Sequence, residues 1–190
     1  MLSYLKRSNI ISALIVSFFT FFIALFVSVG SEVLMKAVKD LWVAILLLVL
    51  IISMGIIFDI IGTAAAAAAL PPFNAKAAKK VFGAYQAVKI TKNASSVANY
   101  CNDVIGDIAG TLSGAVGAGI VFSLEQTFSV TDTILSGALM TSFIAALTVG
   151  GKAIGKNIAI NKANSIIFQV AVALGWWENF TGLELFKDRR

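Results

Sequence analysis

The sequence predicts an all-α integral membrane protein with four transmembrane helices, a cytoplasmic interfacial helical hairpin and a C-terminal juxtamembrane helix. Three observations predict it. Only 13% of the 190 residues are charged and 58% are hydrophobic, whereas an ordinary soluble domain carries about 25% charged residues. Mean hydropathy is +0.90. The apolar residues are gathered into four long runs, each close to the ~20 residues that cross a bilayer core as a helix.

The first run covers residues 10–30 and follows Lys6 and Arg7. It is longer than the roughly 7–15 apolar residues of a signal peptide and lacks a small-x-small cleavage pattern, so an uncleaved membrane helix is expected. The second run, 41–61, is interrupted only by Asp59. An alanine tract follows, and Pro71 and Pro72 are expected to end the helix. Residues 73–100 differ: five lysines alternate with apolar residues. Ala78, Val81, Phe82, Tyr85 and Val88 recur at helical spacing, which predicts an amphipathic helix. Beside membrane spans such a helix reads either as interfacial or as a hairpin packed on its own bundle. The third run, 103–124, carries Gly106, Gly110 and Gly114 in one row, a spacing that lets helix backbones approach closely. The fourth run is 132–150. The apolar stretch 166–177 is too short to span, and Trp176 and Trp177 are typical interface anchors, so a helix lying along the surface is expected there. The chain divides into 1–40 (first span and external loop), 41–177 (the main membrane domain) and 178–190 (a polar tail).

Charge distribution orients the bundle. Between the second and third runs lie five lysines and no acid. Between the third and fourth lie Glu125 and Asp132 with no basic residue. The positive-inside rule then predicts a multi-pass protein of the plasma (inner) membrane with both termini cytoplasmic. The net charge of +5 is accounted for by these loops, and no nucleic-acid partner is expected. One cysteine, Cys101, excludes an internal disulfide. With no histidine in the chain, no catalytic constellation is expected, and zinc, haem or iron–sulfur sites are disfavoured. The chain is not expected to be an enzyme. An ion bound here would need oxygen ligands: Mg²⁺, Ca²⁺ or an alkali ion such as Na⁺.

The candidate site follows from the topology. Asp59 ends the second span, Asp103 and Asp107 begin the third, and Lys152 ends the fourth. All four lie at the cytoplasmic mouth, where ionisable groups usually face a cavity, pair, or bind ions. Asn99, Asn102, Thr63 and Ser142 offer neutral oxygens. The bland alternatives are that Asn102 or Asp103 caps the third span, that Asp59 reaches interface water, and that Lys152 snorkels.

The stretch 58–108, with the block 149–163, resembles the transmembrane domain of CNNM/CorB/CorC-type magnesium transporters. The family motif Phe-Ser-x-Ser-Glu-Thr-Ala falls on 58–64, where Phe58, Thr63 and Ala64 agree. The Gly-Asn motif and its second Asn fall on 101–107, where Asn102 agrees and Asp107 lies near the second position. Gly-Glu-Ile-x-Pro-Lys falls on 151–156, where Gly151 and Lys156 agree but Lys152 replaces the glutamate. The resemblance implies a homodimer, which the glycine row also suits. It further implies a cation site to which Asn102 carries over directly, with Asp59, Asp103 and Asp107 as replacement carboxylates and Lys152, in place of the family's glutamate, as a fixed counter-charge. Residues 1–40 would be an additional helix. A non-transporting membrane scaffold or subunit is the alternative function.

Overall fold

The computed structural model describes residues 7–37, 40–128 and 133–183, and among these the chain is all helical and irregular, with no strand. The helices are α1 (Arg7–Ala37), α2 (Leu41–Ala67), α3 (Leu70–Ala78), α4 (Ala84–Lys92), α5 (Ala94–Asn99), α6 (Gly106–Phe128), α7 (Thr133–Asn161) and α8 (Ala163–Thr181), with a π-helical turn at Tyr100–Ile105 joining α5 to α6. Among the described residues, four segments are long and apolar enough to cross a membrane: Ala13–Gly30, Leu41–Ala67, Ala94–Gln126 and Ile134–Asn161. They overlap the four runs of the sequence, with the second, third and fourth extending beyond them. Lys6, Asp132 and the basic tail at 187–190 lie outside the described residues.

Contacts divide the chain into two compact units, Met1–Ile51 with Thr111–Ile144, and Ile52–Gly110 with Ala145–Arg190. In the first, no residue of the apolar window of α1 is buried. Phe18 meets Phe19 edge-on and Phe22 at a tilt, and Phe21 meets Phe22 edge-on. A helix apolar on every side suits lipid rather than a protein core. Asp40 starts α2: its Oδ1 accepts the Trp42 N–H at 2.9 Å, as an N-cap carboxylate does. The core of this unit is Leu48, Leu112, Val116, Ile120 and Ile144, with Gly117 making room for the Ile144 side chain.

The second unit contains a small helical module. Its core is Ala64, Ala65, Phe73, Ala87, Val88, Ile90, Ala159, Ala163, Ile167 and Ala171. Helix α3 packs on α4, and α4 packs on α8. Only Ala68 and Ala69 separate α2 from α3, and only Lys162 separates α7 from α8. The Ala69 N–H donates to Asn164 Oδ1 at 2.8 Å, so both long helices enter the module at the same level. Along α8, Ala163, Ile167, Ala171 and Gly175 are buried, a stripe of spacing four that forms one helix face.

Several sequence expectations change. Pro71 and Pro72 begin α3 rather than simply ending α2, because the first helical turn needs no N–H from proline. The predicted amphipathic helix through Ala78 and Tyr85 is broken by the turn at 79–83. Val81, Phe82 and Tyr85 are exposed, and the buried face of α4 is Ala84, Ala87, Val88 and Ile90. The third apolar helix starts at Ala94, so neither Asn102 nor Asp103 is a cap. The fourth runs on to Asn161, so Lys152 sits about two and a half turns inside α7 rather than at its end. Helix α8 reaches Thr181, past the expected start of the tail, and stops at Gly182 with φ 69°.

Candidate functional site

Helices α2, α6 and α7 converge within the second unit through small residues. Gly55 faces Ala109, whose Cβ lies 3.0 Å from where a Gly55 Cβ would be. Gly151 and Gly155, one turn apart on α7, take the side chains of Ile56 and Ile60, one turn apart on α2. The matched spacing makes α2 and α7 parallel neighbours. A side chain at either glycine would overlap an isoleucine, so this contact depends on their having none.

This packing brings Asp59 and Lys152 together. Lys152 Nζ lies 3.8 Å from Asp59 Oδ1, with side-chain exposures of 24% and 5%. Gly106 of α6 lies under the ammonium: a Cβ there would sit 3.4 Å from Lys152 Nζ. Gly62, one turn after Asp59, lies against Asn102, whose carboxamide occupies the space a Cβ would need. Asn102 belongs to the π-helical turn, a local widening of the helix that is rare and often found at functional sites.

Three buried oxygens here have no hydrogen-bond partner: Asp59 Oδ2, Asn102 Oδ1 and Thr148 Oγ1. Thr148 is one turn before Lys152 and therefore on the same face of α7. A buried acceptor without a donor costs about 1–3 kcal/mol. Of the three, Asp59 lies beside the Lys152 ammonium, and Asn102 packs on Gly62, one turn along α2 from Asp59.

Of the residues expected from the sequence, Asp59 and Lys152 come together, and Asn102 packs on Gly62, one turn from Asp59. Asp103 and Asp107 share a face but are exposed, and among the described residues no three carboxylate, cysteine or histidine side chains are grouped to hold a metal. Thr63 is half-buried, while Asn99 and Ser142 are exposed. Within one chain only Gly106 of the glycine row has a neighbour. Positions Gly110 and Gly114 face nothing within 4 Å.

Two groups were not expected. Thr148 is one; a threonine in an apolar run carries no signal until its neighbour Lys152 is known to be paired. Glu125 is the other: read as a loop charge, it lies in the last turn of α6 with Oε1 buried and unpartnered. It borders an apolar cleft with Val121, Phe122, Ile134, Met140 and Thr141.

Comparison with known proteins gives no match: no family model, no curated protein and no solved structure aligns significantly with this chain.

Proposed function

We propose that this chain is a multi-pass membrane protein with four spans and both termini cytoplasmic, whose Asp59–Asn102–Lys152 group is the altered cation site of a transporter of the CNNM/CorB/CorC type. The observation that carries this reading is Asp59, a carboxylate 5% exposed with one oxygen facing an ammonium and the other unpartnered. Ionisable groups within membrane helices are expensive and tend to mark ion pathways. Transport would proceed by alternating exposure of this group to the two sides. A homodimer would give the open Gly110 and Gly114 a partner surface.

The residues present do not suit Mg²⁺ as they stand. Mg²⁺ demands near-octahedral oxygen geometry, and here a single buried carboxylate is already paired with Lys152. The ammonium takes the position of the ion. Replacing it with an acid would restore the charge balance of a divalent site.

The alternative is a membrane scaffold in which the pair is a structural lock. The pairing itself favours this second reading, since it neutralises Asp59 without any ion. Lys152→Glu separates the two. In the purified, monodisperse full chain, the transporter reading expects Mg²⁺ to raise the melting temperature of Lys152→Glu by several degrees and to leave the wild type unmoved. A folded Lys152→Glu protein indifferent to Mg²⁺ would favour the scaffold.

A further inference from the structure

The turn between α3 and α4 is built in an unusual way. Lys80 has φ 55°, the left-handed region that costs an L-residue about 1–2 kcal/mol. The Val81 N–H donates to the Lys76 carbonyl at 3.1 Å and the Lys80 N–H to the Ala77 carbonyl at 2.9 Å. This is a Schellman ending, in which the left-handed position usually falls to glycine. Here a lysine holds it, between exposed Lys79 and exposed Val81.

The turn lies along one face of α8. Lys76 Nζ sits 3.7 Å from the centre of the Phe168 ring. Gly83 rests on Val172, and the Phe82 ring reaches Gly175, where a Cβ would be 3.3 Å from its tip. Beyond it, Phe82, Trp176, Asn179 and Phe180 line an open cleft. Trp176 is 71% exposed and Phe180 91%. The Lys76 ammonium thus sits toward the start of this face and the uncovered aromatic rings toward its end.

Charge and position define the occupant. Residues 70–93 carry five lysines and no acid. In α8 the single acid is Glu178, which accepts from Gln86 Nε2 at 2.9 Å. The module is joined to two long apolar helices by two residues and one residue, so it lies beside whatever those helices cross. Lysine attracts anionic headgroups near a bilayer, and tryptophan and phenylalanine settle at the lipid boundary.

We infer that the Lys76–Lys79–Lys80 turn and the Phe82–Trp176–Phe180 cleft form a docking surface for anionic phospholipid, with the ammonium groups on headgroup phosphates and the rings in the upper acyl region. The lysine at the left-handed position then has a reason: it projects charge from the tip of the turn. The inference rests on the membrane-spanning reading above, and its test keeps the two apart.

The full chain carrying Trp42→Phe, so that only Trp176 and Trp177 report, is reconstituted into vesicles of phosphatidylcholine and phosphatidylglycerol. Either lipid is brominated at the same mole fraction. Flotation with the vesicles after alkaline carbonate washing reports spanning separately. Quenching by the brominated anionic lipid should exceed quenching by the brominated neutral lipid about threefold or more, and the difference should shrink at high salt. In Lys79→Gln/Lys80→Gln the preference should fall toward unity. Lys80→Gly should reduce it while relieving the backbone. Failure to float would overturn the membrane reading and this one with it. Flotation with equal quenching by both lipids would overturn the anionic site alone. Flotation without quenching by either lipid would mean that protein or water covers the aromatic face, and would overturn it as well.

Discussion

Removing Lys152 would leave Asp59 as a carboxylate 5% exposed with no cation beside it, whereas removing Asp59 would strand an ammonium among apolar helices. Breaking one partner of a fully buried pair costs about 3–5 kcal/mol. Lys152 is partly exposed, so a smaller loss is expected, about 1–3 kcal/mol for Asp59→Asn or Lys152→Met. The double substitution should recover part of that loss, because both charges leave together. Thermal unfolding of the four proteins followed by helical circular dichroism checks this, and strictly additive losses would remove the pairing as an energetic link. At this scale the sequence was half legible. Asp59 and Lys152 were recognisable as charges in apolar runs on the same side of the bundle. Asp103 and Asp107 carried the same signal but are exposed, since which face of a helix is covered depends on its neighbours. Asn102 depended on the small Gly62 opposite, and that contact comes from packing rather than from local pattern.

The elements follow hydropathy where hydropathy is local. All four apolar runs are helices, the form in which a continuous apolar stretch of ~20 residues would satisfy its backbone hydrogen bonds in lipid. Their ends were harder to read. Helix α7 continues through Gly151, Lys156 and Asn157 because its small and polar residues pack on α2 or face outward, and none is a proline. Helix α4 misled for a different reason. Its apolar spacing ran unbroken through the turn, and Lys80 gives no sign of the left-handed conformation that breaks the period. That turn makes its own prediction. Lys80→Gly should raise the stability of the helical module by about 1 kcal/mol, since glycine adopts a positive φ without the Cβ penalty. A rise in melting temperature with unchanged helicity would agree; a fall would mean that the lysine side chain contributes more than the backbone loses.

At the scale of the whole molecule, the long helices and the module determine which charges share one side. Helices α2 and α7 end in the module, and α5 leads from it into the third apolar helix, so Lys76, Lys79, Lys80 and Lys92 gather at one end of these three helices. By the positive-inside rule that end would be cytoplasmic. The stretch between α6 and α7, residues 129–132, carries one acid, Asp132, and no basic residue, and would then face outward. Cys101 is a poor reporter because it is half-buried within the π-helical turn. Exposed positions are better: Lys92 at the end of α4 and Gln126 near the end of α6. In a Cys101→Ser background, Lys92→Cys should react with a membrane-impermeant maleimide in inverted vesicles and stay unreacted in intact cells. Gln126→Cys should do the reverse. Both cysteines labelled from the same side would contradict an odd number of crossings between them, and so would remove the third span. Labelling of Lys92→Cys in intact cells, with Gln126→Cys protected, would keep the spans and invert the protein, carrying the Asp59–Lys152 pair and the basic turn to the outer face.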